Sequence, residues 1–77
     1  MEEKIKLVMA EVFGVDIVEI DDKASPETLA AWDSLKQMNL ILALEEEFEI
    51  QLTDEEVIEM LNLPLIMEII KNKIHSL

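Results

Sequence analysis

The chain has 77 residues, 51% of them apolar, and carries 18 Asp and Glu against 6 Lys for a formal net charge of −12. That length allows one small domain, able to bury roughly 60% of the surface of its unfolded chain, and such acidity excludes nucleic acid and anionic membrane surfaces while favouring partners with basic docking patches. The absence of cysteine rules out disulfides, thiolate metal sites and cysteine nucleophiles.

One glycine and two prolines are too few for a turn-rich β fold, so an all-α protein is expected. Ile5, Val8, Met9, Val12 and Phe13 recur at helical spacing and predict a first helix from about Glu2 to Phe13. Gly14 follows at once, where a left-handed residue ends a helix at little cost. The stretch "VDIVEIDDKASPETLAAW" shows brief alternation, then Ser25-Pro26. It reads as a long ordered loop with one short helical turn, beyond the roughly 12–15 residues above which such connections are uncommon and usually functional. Val15, Ile17, Val18, Ile20 and Leu29 are expected to pin it to the core.

A second helix is predicted from Asp33, a good N-cap, to about Phe48. In "TDEE", Thr53 and Glu56 have the spacing of a capping box opening a short third helix, with Val57, Met60 and Leu61 facing inward. A fourth helix follows Asn62 and Pro64 and should bury Leu65, Ile66, Ile69, Ile70 and Ile74, with Lys71 and Lys73 near its end, where cations suit the helix dipole. The expected architecture is a small four-helix bundle of three longer helices and one short one, a single domain over residues 1–77. No apolar run approaches the roughly 20 residues needed to cross a bilayer, and "MEEKIKLVMAEVFG" lacks the charge layout of a secretory signal. A soluble, cytoplasmic monomer is the expectation.

The second helix is too apolar for one buried stripe. Leu40, Ile41, Leu44 and Phe48 fall on one side; Leu35, Met38 and Leu42, at i, i+3 and i+7, fall on another, flanked by Asn39, Glu45 and Glu46. If the first set is core, the second is an exposed apolar strip with an acidic rim, the anatomy of a docking surface. The strip begins one residue after Ser34. A serine at a helix start is ordinary capping chemistry. As a nucleophile it needs a base, and the only histidine, His75, stands near the C-terminus in no local motif. As a target of another enzyme it is well placed, because a helix N-terminus favours an attached phosphate.

"WDSL", then "LILALEEEF", then "TDEEV" resembles the acyl carrier protein family, and the likeness runs from "EVFGV" through "ASPETL" to the last helix. The resemblance implies a carrier, not an enzyme. A phosphopantetheinyl transferase would attach 4′-phosphopantetheine to Ser34, with Asp33 and Leu35 flanking the attachment point. Leu35, Met38, Asn39, Leu42, Glu45 and Glu46 would form the face read by enzymes that load, transfer or condense acyl groups. An aminoacyl or D-alanyl carrier shares the serine chemistry with another load, and an unmodified acidic interaction domain would use Ser34 as a cap alone.

Carriers of primary fatty acid synthesis usually have a glycine two residues before the Asp and acidic residues just after the motif. Here Ala31, Lys36 and Asn39 stand at those positions and Trp32 precedes Asp33. This resembles specialised bacterial carriers serving lipid, polysaccharide or secondary-metabolite pathways. A lysine and a neutral amide on the docking face are expected to disfavour the basic patch of a housekeeping partner, while Trp32 is expected to pack the loop. Asp16, Glu19, Asp21 and Asp22 lack the regular ligand spacing of a calcium loop, so no metal is expected there. His75 reads as a surface residue.

Overall fold

The computed structural model describes residues 2–75. Among them the regular elements are four α-helices, α1 (Glu2–Phe13), α2 (Ser34–Phe48), α3 (Asp54–Ile58) and α4 (Leu63–His75), plus a single 3₁₀ turn at Ile17–Glu19. The helices pack around a core in which Ile5, Met9, Leu40, Leu44, Met60, Leu63, Ile66 and Ile70 are fully buried.

Each boundary has a local cause. Ile5, Met9 and Phe13 put one face of α1 inward, and Gly14 then turns left-handed at φ +71°, so that the N–H groups of Gly14 and Val15 both reach the Ala10 carbonyl at 2.9 and 3.1 Å. Asp33 caps α2 by accepting from the Lys36 N–H at 2.8 Å, and the helix ends at Glu49, left-handed at φ 54°. Thr53 and Glu56 form the expected capping box on α3, the Thr53 N–H donating to the Glu56 carboxylate at 2.8 Å and the Glu56 N–H to the Thr53 hydroxyl at 3.1 Å. Asn62 opens α4 by accepting from the Leu65 N–H at 2.9 Å.

The loop over residues 15–32 is ordered by its own turns. Thr28 and Leu29 donate backbone bonds to the Ser25 carbonyl, and Trp32 to that of Leu29. Ala24 accepts from the Leu63 N–H at 2.9 Å, tying the loop to the start of α4. The helical turn falls at Ile17–Glu19, and the anchors are Ile20, Ala24 and Trp32, all buried, with Val15 and Leu29 packed against them. Trp32 lies beside Phe13 with ring centroids 5.3 Å apart, and so packs the loop as expected.

Four inward assignments from the sequence are corrected: Ile17 is only partly buried and is not among the side chains packed on the core, and three others turn outward. Val18 is 86% exposed and Leu61 63% exposed, and Leu65 also faces outward. For Val18 and Leu61 the segment is too short or irregular for periodicity to fix a face: Val18 sits in a one-turn 3₁₀ element, and Leu61 lies beyond the end of a five-residue helix. On α4 the buried face starts earlier than expected, at Leu63, which with Ile66 and Ile70 leaves Leu65 on the outer side. Phe48 is half-buried, with the Lys4 ammonium 5.5 Å from its ring centroid.

The four lysine–carboxylate pairs among the described residues lie at the surface or its margin. Lys4 meets Glu47, Lys6 meets Asp22, Lys71 meets Glu2 at 3.5 Å and Lys73 meets Glu56 at 2.8 Å. The last is the most sheltered and joins α3 to α4. The Lys73 ammonium and then the Thr53 N–H hold the Glu56 carboxyl below the usual carboxylate range, and Lys6 does the same for Asp22.

Candidate functional site

The N-terminus of α2 presents Ser34 to solvent as the first helical residue. Asp33 is occupied as the cap: its carboxylate takes the Lys36 N–H and its carbonyl takes the Gln37 N–H at 2.8 Å. The N–H groups of Ser34 and Leu35 precede the first intrahelical bond, so their partial positive charge lies beside the Ser34 hydroxyl. Ser25 makes a useful contrast. It is buried, its hydroxyl donating to Glu27 at 3.2 Å and its N–H to the Thr28 hydroxyl at 3.0 Å. Ser25 is therefore spent on its own turn, and Ser34 is the accessible hydroxyl of the two.

From Ser34 the two faces of α2 diverge as the spacing predicts. Leu40, Ile41 and Leu44 are buried, whereas Leu35, Met38 and Leu42 are 69%, 59% and 61% exposed. Asn39 and Glu46 are exposed beside them. Glu45 is half-buried and turns its carboxylate to the Leu52 N–H at 2.9 Å, where it fixes the chain leaving α2. Its charge stays on the rim, but the side chain is less available to a partner than its spacing implies. The outward Ile58 and Leu61 extend the apolar character of this surface to α3, while Val57 packs against the core on that helix's inner face, as expected.

Lys36 differs from its expectation. Its ammonium is directed at α1, 3.4 Å from the Val12 carbonyl, and the side chain is half-buried. The last turn of α1 holds no basic residue of its own, so Lys36 supplies the cation that the C-terminal end of that helix favours. Its charge is drawn back from the exposed apolar strip, leaving Asn39 as the exposed departure there.

Beside Ser34 lies an open groove of about 870 Å³, lined among others by Trp32, Met38, Val57, Met60 and Leu61. Its lining includes no histidine, and His75 is exposed at the end of α4. Sequence reasoning missed Gln37, which also lines the groove. Its amide accepts from the Trp32 indole N–H and donates to the Met60 carbonyl at 3.0 Å. Such contacts leave no periodic signal. Among the described residues no group of three or more His, Asp or Glu is placed to hold a metal ion, and no helix is long and apolar enough to cross a membrane.

An exposed serine hydroxyl at a helix N-terminus, open space beside it and an apolar strip leading away are features that fit a phosphate-linked arm and a visiting partner. The family model of the phosphopantetheine attachment site matches residues 3–70. The fold is similar to that of a holo acyl carrier protein from Geobacter metallireducens solved by NMR in solution, with a TM-score of 0.87 and 25% sequence identity over 97% of this chain and 86% of that one. Carrier domains of this type hold a covalent phosphopantetheine and contribute no catalytic group. With the match spanning nearly every element from α1 into α4, the chain belongs to the acyl carrier protein family.

Proposed function

We propose that Ser34 is the attachment point of the phosphopantetheine arm and that residues 1–77 act as one carrier unit. The observation that carries this reading is the exposure of Ser34 as the first residue of α2, against the buried and hydrogen-bonded Ser25. In the transfer from coenzyme A, the Ser34 hydroxyl oxygen forms the new bond to phosphorus as the pyrophosphate bond breaks. The adenosine-bearing phosphate leaves, and the hydroxyl proton passes to the transferase, since the groove holds no histidine and its two carboxylates are engaged, Asp33 as the helix cap and Glu27 with the Ser25 hydroxyl. The attached arm supplies a terminal thiol that holds an acyl group as a thioester.

The chain's own residues have three tasks. Asp33 fixes the first turn of α2 and so the direction in which Ser34 points. The α2 N-terminal N–H groups favour the phosphodiester charge. Leu35, Met38 and Leu42, with Asn39, Glu45 and Glu46 at the margin, offer partners an apolar centre and an acidic edge, which suits the phosphopantetheinyl transferase and acyl-handling enzymes with basic patches. Asn39 supports a specialised lipid, polysaccharide or secondary-metabolite pathway over housekeeping fatty acid synthesis, because the amide removes a charge contact from the exposed strip.

Incubation with coenzyme A and a broad-specificity transferase tests the assignment. One arm should be gained by the unmodified chain and none by Ser34→Ala. Retention of the modification in that variant would place the arm elsewhere.

A further inference from the structure

The side-chain amide of Gln37 joins three parts of the molecule. Its oxygen accepts from the indole N–H of buried Trp32, which belongs to the loop and packs on Phe13 of α1; its nitrogen donates to the carbonyl of buried Met60, just past the end of α3. The orientation of this amide follows from its neighbours. Turned over, it would set an NH₂ group against an indole donor and a carbonyl against a carbonyl. The wall it reaches needs such support, since α3 has only five residues and one turn of helix does not hold itself in water. Val57 and Met60 add apolar contacts, and the Lys73–Glu56 pair ties α3 to α4 on its other side.

We propose that Gln37 is the positioning residue of the α3 wall, a latch that sets the width of the groove beside Ser34. While both hydrogen bonds hold, Met60 closes the groove off from the core around Leu40 and Leu63. When they break, the end of α3 is free to move and the groove opens toward that core. Only the use of the groove depends on Ser34 carrying an arm; the latch itself is a property of the unmodified chain, and is tested there.

The test is residue-resolved amide hydrogen exchange on the unmodified protein, with the Trp32 indole N–H resonance recorded in parallel. Gln37→Ala removes both bonds, whereas Gln37→Glu keeps an acceptor for Trp32 and loses the donor to Met60. Both variants should speed exchange at Val57, Glu59 and Met60 about tenfold relative to the protected amides of α1 and α4, the effect of losing one hydrogen bond of ordinary strength in a local opening. The indole resonance should move upfield in Gln37→Ala and stay in place in Gln37→Glu. Equal acceleration in every helix would mean that Gln37 contributes to general stability alone, and unchanged exchange at α3 would mean that the wall is held by its apolar contacts; either result overturns the latch.

Discussion

Leu44 and Met38 lie six residues apart on α2 and are assigned to opposite faces, so truncating each to alanine separates the core from the proposed docking strip. Leu44 is fully buried, and Leu→Ala at such a site costs about 2–5 kcal/mol, from lost transfer energy and the cavity left behind. A 77-residue domain has about 4–12 kcal/mol of total stability at 0.05–0.15 kcal/mol per residue. Leu44→Ala therefore removes a large share of it, and a loss of about 3 kcal/mol lowers the Tm by on the order of 10–25 °C. Met38 is 59% exposed, so about two-fifths of a methionine's burial energy of about 1.5–3 kcal/mol is at stake, or about 0.6–1.2 kcal/mol. Urea unfolding followed by helical circular dichroism reads both, and the denaturant slope should stay unchanged. Met38→Ala should fold and yet slow the transferase reaction. Equal destabilisation by the two substitutions would show that the Met38 side chain is buried and that the strip is not a docking surface.

The Glu56 carboxyl is held below its ordinary value, so the stability it contributes is fully present above the usual carboxylate pKa of about 4.3 and is lost as pH falls through the lower folded value. The gap in Tm between the natural chain and Glu56→Gln should accordingly be constant near neutrality and close below about pH 4; a gap that widens on acidification would reverse this sign. With 18 acidic side chains against 6 lysines, screening should relieve more repulsion than it costs in exposed ion pairs worth about 0–1 kcal/mol each, so the Tm should rise between low and moderate salt. A flat or falling Tm would mean that the fold already compensates its charges. Asn39→Glu should improve the rate with housekeeping fatty acid elongation enzymes, whereas Lys36→Asp should mainly cost about 0.3–1 kcal/mol of stability by removing the cation at the end of α1. A natural chain that already matches a primary-synthesis carrier would return it to ordinary fatty acid synthesis.

The parts of this fold legible in the sequence are those governed by local rules. Gly14, Asp33 and the Thr53–Glu56 pair mark helix ends through hydrogen bonds spanning a few residues, and α2 is long enough for its two apolar sets to separate by angle. Val18 and Leu61 lie where there is no second turn to set a phase. Leu63 could have been found, since Leu63, Ile66, Ile70 and Ile74 continue one face at helical spacing, but the proline after it drew the expected start of the buried face too late. Lys36 and Gln37 were beyond reach for another reason: Lys36 reaches Val12 and Gln37 reaches Met60, and partners so distant in sequence are fixed by the packing of helices. At the site, the position of Ser34 and the exposed strip followed from capping and periodicity, whereas the groove is made by three elements at once.

The claim on which the rest depends is that Ser34 carries the arm. Peptide mapping by tandem mass spectrometry, after modification with coenzyme A and a transferase, reads it directly. The account predicts a single phosphopantetheine on the peptide containing Ser34, with Ser25 unmodified. An arm located on any other residue, or no arm after treatment with several competent transferases, would contradict it.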